Sequence, residues 1–401
     1  MHKFIPYGRH HIDEEDIQSV VDVLRGDWLT CGPIVEKFEQ ALSEITEARF
    51  ALSCSNGTTA LHLAMLALDI KEGDWVIVPA ITFLASANAA RYVNANVIFA
   101  DVDPNTGLVT PDTLEAAILN FPHKTKVKAF INVHFAGQCE NLEAIFEICK
   151  KYGLLIIDDA AHAIGTNYID SKGKAHPIGS CHYCDITTFS FHPVKTITMG
   201  EGGAITTNSS KLAEKAKLFR SHSMIRESKN WLNLELGLDE KSNTPNPWYY
   251  EMREIGYNYR IPDINCALGL SQLTKIKEFK SVRSQIVAEY DKAFKDNQFI
   301  KPLTKLKNSD TAWHLYVLLF DFEKLNLSRA DVMIQLKSVG IGSQVHYIPV
   351  YRQPYYEKLY GKIKLEGAEK YYEKCLSLPL YAGLKDIDFS RIIHSLTEMT
   401  S

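Results

Sequence analysis

Three stretches of the chain carry residue types whose spacing could do chemistry. The first is Ser190-Phe-His-Pro-Val-Lys195-Thr-Ile-Thr-Met-Gly200-Glu-Gly-Gly-Ala204. The β-branched and aromatic run 185–191 predicts a buried strand, Pro193 turns the chain, and 204–208 predicts a second strand. A lysine held between two buried strands is desolvated. Its pKa falls, and its amine becomes a nucleophile suited to Schiff-base formation. A solvated lysine on a connecting loop is the plain alternative, and the surrounding residues decide between the two.

The second stretch is Asp159-Ala-Ala-His162-Ala-Ile-Gly165, directly after an apolar run. An acid at a strand end beside a histidine is compatible with a metal site, a general acid/base pair, a partner for a protonated ring nitrogen, or a helix cap with a half-buried histidine. The third is Ser55-Asn56-Gly57-Thr58-Thr59-Ala60, leading into an apolar helix. Free amides and a favourable dipole make such a helix start a phosphate site, although Ser and Asn there also serve as ordinary N-caps.

The elements that must position these residues alternate. Strands are expected at 75–79, 97–101, 127–134 and 154–159, with helices at 81–90, 111–119 and 142–152. This predicts an α/β fold with a mainly parallel sheet covered on both faces, in which ligands sit at the carboxyl ends of strands. His134, Asp158 and Asp159 fall at such ends. Helices are expected at 12–26, 33–42 and 210–222, and the polar stretch 226–248 is expected to be a loop. A long amphipathic helix from Asp263 to about residue 294 leads into a smaller α+β part: strand 313–320, helix 329–338, strand 341–346, and helices 368–375 and 389–399. The expected division is a large ligand-binding domain over 1–260, with its N-terminal helical segment, and a small domain over 261–401.

With 401 residues, 46% hydrophobic and 23% charged, the composition is that of an ordinary globular protein. A net charge of −4 gives no bulk attraction for nucleic acid, and no apolar run is long enough to span a bilayer. Eight scattered cysteines and the lack of a signal-peptide pattern point to a reducing cytoplasm. Cys181-His-Tyr-Cys184 has no second pair to complete a zinc site, and it precedes a strand where a thioredoxin-like motif would open a helix. It reads as structural. No GxGxxG follows a strand, which disfavours a Rossmann dehydrogenase.

Taken in chain order, the phosphate-type turn, an aromatic segment, the strand-end Asp and the lysine on a strand–turn resemble the fold-type-I pyridoxal phosphate enzymes. The strings Asp159-Ala-Ala-His162-Ala, Phe189-Ser-Phe-His-Pro-Val-Lys195, Gly200-Glu-Gly-Gly203 and Gly256-Tyr-Asn-Tyr-Arg260 are similar to the DegT/StrS family of sugar-nucleotide aminotransferases. The likeness runs from Trp28-Leu-Thr-Cys-Gly-Pro33 to Gln344-Val-His-Tyr-Ile-Pro349. It implies pyridoxal 5'-phosphate, held covalently by Lys195, which also moves the proton between substrate and cofactor carbons. Asp159 would keep the ring nitrogen protonated, His162 would sit beside the ring or its phenolic oxygen, and Phe83 would stack on its face. Gly57, Thr58 and Ser190 would bind the phosphate. Asn258 would reach the phosphate of the neighbouring subunit, in a homodimer whose active sites lie at the interface. Arg220, His222, His346 and Tyr347 stand as candidate substrate contacts, with salt bridges and core packing as the alternatives.

Members with histidine in place of the lysine deoxygenate their substrates, so Lys195 implies ping-pong transamination from L-glutamate, released as 2-oxoglutarate, to a nucleotide-linked keto sugar. Three strings resemble the branch that aminates carbon 4 of a UDP-linked 4-keto-6-deoxy N-acetyl-L-sugar in pseudaminic acid biosynthesis, a route to cell-surface polysaccharide. They are Phe219-Arg-Ser-His222-Ser-Met, Tyr290-Asp-Lys-Ala-Phe-Lys-Asp-Asn297 and Gln344-Val-His-Tyr-Ile-Pro-Val-Tyr351. The stretch 226–248 is longer than that branch implies. Amination of another 3-keto or 4-keto sugar nucleotide or of a cyclitol is the alternative, and a non-catalytic regulatory homologue is a third reading.

Overall fold

The computed structural model describes residues 3–400. Seven strands form the central sheet: Phe50–Cys54 (β1), Trp75–Pro79 (β2), Asn96–Ala100 (β3), Val127–Val133 (β4), Leu155–Asp159 (β5), Ile186–Ser190 (β6) and Gly203–Thr207 (β7). Their spatial order is β1-β7-β6-β5-β4-β2-β3, and β7 alone runs against the others. The middle strands are continuous apolar runs because both faces are covered; Val76, Ile77, Val78, Ala129 and Ile131 are fully buried. Helix Gly57–Ala67 packs with Leu84–Tyr92 and Ser210–Arg220, while Pro111–Asn120 packs with Leu142–Tyr152. Side-chain caps set the helix starts at Asp13, Asn56, Thr110 and Asn141, and Gly153 ends its helix in the left-handed region at φ 67°. This is the fold-type-I α/β architecture.

A smaller antiparallel sheet of Ile300–Pro302, Tyr316–Phe320 and Cys375–Leu378 follows, with Tyr316–Phe320 in the middle. Ile5, from the other end of the chain, packs into its core beside Val287, Tyr316 and Leu336.

Four expectations differ from the structure. The helix expected at 81–90 is Leu84–Tyr92, because the chain bends at 80–82 and Phe83, the N-cap, is extended. The long helix after Asp263 is broken at Lys275 into Asp263–Thr274 and Ile276–Phe294. Lys275 leaves helical geometry and sets its ammonium against Asp13 and Asp16, 2.5 and 3.1 Å away, at the acidic start of helix Glu14–Arg25. The strand expected at 341–346 does not form; its segment makes only the single bridges Ile5–Ile341 and Gln344–Ser377 before delivering His346 and Tyr347 to the central cavity. The region expected to be helical at 368–375 ends at Lys374, and Cys375–Leu378 is the third strand of the small sheet.

The stretch 226–248 is a folded excursion. It is closed by pairing of Met224–Ile225 with Glu251–Met252 and holds a one-turn helix, Leu234–Gly237. The Glu251 carboxylate accepts from the Leu232 and Asn233 amides, and buried Trp231 donates to Ile225 O at 3.1 Å.

Candidate active site

A cavity of about 630 Å³ opens at the carboxyl ends of β4, β5 and β6, where Val133, Asp159 and Ser190 line it. Strand β6 stops at Ser190 and the chain closes a loop: Phe191 N donates to Gly202 O at 2.8 Å, and Met199 N to Phe191 O at 2.9 Å. Phe191 is fully buried, edge-on to Phe38 at 5.5 Å, so its ring anchors the loop. Burying a phenyl side chain in this way stabilises the fold by about 2–3 kcal/mol. Asn265 Nδ2 donates to Met199 O and Glu201 O, tying the far limb to helix Asp263–Thr274. The loop presents Lys195 to the cavity. Burial brings its pKa down from 10.5 to about 8, against an opposing pull from the Asp159 charge.

Asp158 and Asp159 end β5 on opposite faces, as strand geometry requires. Asp158 accepts from Asn132 Nδ2 at 3.1 Å and lies 3.2 Å from His134 Nε2, away from the cavity. Asp159 faces the cavity. Its Oδ2 accepts from Ser86 Oγ at 2.8 Å and its Oδ1 from the Ala161 amide at 3.2 Å. Burial raises its pKa, a cost that these two donors only partly offset.

His162 lies across the cavity wall. Its ring sits 4.3 Å from the ring of His314, and its Nε2 is 3.4 Å from Tyr347 Oη. Its Nδ1 is buried without a hydrogen-bond partner. Burial, followed by the Lys195 and His346 charges, takes its pKa well below the ordinary value, so the ring is neutral at neutral pH.

At the start of helix Gly57–Ala67, Asn56 Oδ1 accepts from the Thr59 amide at 2.9 Å. Helix geometry leaves the Gly57 and Thr58 amides without intrahelical acceptors, at the positive end of the dipole and on the cavity wall. A Cβ on Gly57 would stand 2.7 Å from Ser190 Cβ, so only glycine lets β6 approach this helix start. Phe83 lines the mouth, 57% exposed, its ring 6.2 Å from that of Tyr347.

The cavity thus gathers Lys195, Asp159, His162, Gly57, Thr58, Ser190, Phe83, His346 and Tyr347. His346 is buried, with Nδ1 2.7 Å from Ser377 Oγ. Three expected residues lie outside it. Arg220 donates to Glu39 Oε1 at 2.6 Å and Ser53 O at 2.7 Å, so its guanidinium is committed to a salt bridge and a carbonyl in place of a substrate contact. His222 is exposed, on a left-handed turn at φ 59°. Asn258 is exposed and pairs its backbone with Ser221. Ser86 and His314 escaped the sequence reading. Ser86 is a lone hydroxyl within an alanine-rich helix, a weak signal, and His314 has no local signal because its partner His162 is remote in the chain. Among the described residues no group of three or more His, Cys, Asp or Glu could hold a metal ion, and no helix is long and apolar enough to cross a membrane.

An amine of low pKa, an anion seat at a helix start and a buried carboxylate therefore face one space. Known proteins are similar to the chain over nearly its whole length. The UDP-4-amino-4,6-dideoxy-N-acetyl-beta-L-altrosamine transaminase of Campylobacter jejuni is 37% identical over 387 residues, covering 96% of this chain and 95% of that protein. The structure of Helicobacter pylori PseC, an aminotransferase involved in the biosynthesis of pseudoaminic acid, superposes with a TM-score of 0.88 at 31% identity over 99% of both chains. The PLP-form of Streptococcus pneumoniae Spr1654 superposes with a TM-score of 0.84 at 28% identity, covering 99% of this chain and 98% of that one. The DegT/DnrJ/EryC1/StrS aminotransferase family model matches residues 10–397. The chain belongs to this family of PLP-dependent sugar aminotransferases.

Proposed function

We propose that the enzyme moves the amino group of L-glutamate, released as 2-oxoglutarate, to the 4-keto group of a UDP-linked 4-keto-6-deoxy N-acetyl-L-sugar of pseudaminic acid biosynthesis. The chemistry rests on one observation: the Lys195 amine, the Asp159 carboxylate and the Gly57-Thr58 amides meet in a single cavity. The choice of sugar rests on the similarity to the Campylobacter jejuni transaminase.

The residues present fit pyridoxal 5'-phosphate. The Gly57 and Thr58 amides and the Ser190 hydroxyl form a seat for a phosphate. Burial raises the pKa of Asp159, and Ser86, the Ala161 amide and the Lys195 charge offset this only in part, so a protonated ring nitrogen would supply a further cation there. His162, on the cavity wall, keeps a buried Nδ1 without a hydrogen-bond partner. When bound, the cofactor supplies a carbonyl that takes up an amine and a ring that draws electrons from the carbon losing its proton.

The chain's own residues do the rest. Lys195, at a pKa of about 8, takes the proton from the substrate carbon and returns it. Asp159 holds a proton on the ring nitrogen, with Ser86 and the Ala161 amide fixing its orientation. Phe83 and Tyr347 shield the mouth from water. Asn258, exposed and outside its own cavity, would serve the phosphate site of a second subunit in a homodimer. The free cysteines suit a cytoplasmic enzyme. The folded excursion between Met224 and Met252 favours a second reading, the same reaction on a different keto sugar nucleotide or a cyclitol.

The test is the visible absorption spectrum of the purified protein with pyridoxal phosphate, before and after L-glutamate alone. The expected result is a yellow band that bleaches with glutamate and returns with the proposed keto sugar, and that is absent in Lys195→Ala. A protein that stays colourless with the cofactor refutes the mechanism. Bleaching that only another keto sugar reverses refutes the substrate.

A further inference from the structure

The Cys181-His-Tyr-Cys184 segment takes no part in the site described above, yet it is more than a structural turn. Both thiols are free and half-buried. They share a partner: Thr187 Oγ1, on β6, lies 3.4 Å from Cys181 Sγ and 3.3 Å from Cys184 Sγ. Cys181 Sγ further donates to Thr206 O at 3.2 Å, on the neighbouring strand β7, where Thr206 is the cross-strand partner of Thr187. The two sulfurs are thus converged by a short turn onto one point at the start of β6, at the opposite end of that strand from Ser190. No third ligand group joins them; among the described residues no cluster of three or more His, Cys, Asp or Glu could hold a metal. Two half-buried sulfurs gathered on one hydroxyl, without a metal, have one shared chemistry, the formation of a disulfide.

We propose that Cys181 and Cys184 form a redox-active dithiol that is oxidised reversibly to an intramolecular disulfide by small disulfides such as glutathione disulfide. Cys181 is the attacking sulfur. Burial opposes its thiolate, but the neighbouring Cys184, Thr187 and Thr206 side chains outweigh it, and its pKa lies below that of an ordinary thiol. Cys184 is the resolving sulfur; its neighbour Cys181, then burial, hold its pKa well above the ordinary value. In the first step the Cys181 thiolate attacks one sulfur of glutathione disulfide, breaking its S–S bond and releasing one glutathione thiolate. In the second, Cys184 gives up its proton and attacks Cys181 Sγ in the mixed disulfide, releasing the second glutathione thiolate. The protein loses two electrons and two protons, and glutathione disulfide is reduced to two thiols.

The test is oxidation of the reduced holoenzyme by glutathione disulfide, followed by intact mass measurement and peptide mapping. The expected product carries a linkage between Cys181 and Cys184, with the loss of two hydrogen atoms, and dithiothreitol reverses it. Cys184→Ser is expected to trap glutathione on Cys181, and Cys181→Ser to show neither product. Exposed Cys31 is scored separately as the control for indiscriminate oxidation. A wild-type protein that takes up glutathione only at Cys31, or keeps the 181–184 peptide reduced at ratios that oxidise Cys31, overturns the proposal.

Discussion

Replacing Lys195 by methionine in the cofactor-free protein keeps most of the side chain's bulk and removes its charge, which makes the replacement a direct reading of the desolvation of the amine. The folded pKa is about 8 and the ordinary value 10.5. At 1.36 kcal/mol per unit, the charged lysine costs the folded state about 3 kcal/mol. The pH dependence separates this cost from packing. Below pH 8 both folded and unfolded states carry the proton, and the full cost is present. Between 8 and 10.5 the folded state releases the proton while the unfolded state keeps it, so wild-type stability rises with pH. Above 10.5 both states are neutral and the cost is gone. The Met variant has no such group. The stability difference, variant minus wild type, should therefore be about 3 kcal/mol larger at pH 7 than at pH 10.5. Urea unfolding of both cofactor-free proteins, at one protein concentration across that range, measures it. A difference that stays constant with pH would show that the Lys195 amine is fully solvated in the folded protein, and the argument for its nucleophilicity would fall with it.

Other outcomes follow from the same geometry. Asp159→Asn should leave the melting temperature near wild type while lowering turnover about 10²–10³-fold, because a neutral amide no longer stabilises a charged ring nitrogen; near-normal turnover in steady-state assays would rule that role out. Ser86→Ala removes a hydrogen bond to a buried charge, worth about 1.5–3 kcal/mol, and should weaken pyridoxal phosphate binding roughly tenfold or more by equilibrium titration. Gly57→Val places a branched side chain against Ser190 Cβ, where even a Cβ stands at 2.7 Å, and should abolish retention of the cofactor on gel filtration. Arg220→Met leaves Glu39 without its ion pair and should destabilise by about 3 kcal/mol in urea. The KM for the keto sugar should stay unchanged, and a large rise in KM would return Arg220 to the substrate site.

Much of this protein is legible in its local sequence. Strand Trp75–Pro79 and helices Pro111–Asn120 and Leu142–Tyr152 follow from continuous apolar runs, a leading proline and a trailing glycine, all short-range signals. The order of Gly57, Asp159 and Lys195 along the chain is equally a sequence property, and an alternating α/β fold brings the strand ends that carry them to one edge of the sheet. What the local pattern leaves open is direction and distance. Strand periodicity places Asp158 and Asp159 on opposite faces, but only the packed sheet decides that Asp159 faces the cavity while Asp158 meets His134. Arg220 has the chemistry to hold an anion, and only the folded position of Glu39 commits it elsewhere. Helix propensity runs through Lys275, and the break there comes from acids at the far end of the chain. His314 and Ser86 enter the site through contacts remote in sequence. Periodicity and capping act over a few residues, whereas burial, charge pairing and the facing of side chains depend on neighbours that only the assembled tertiary structure brings within reach.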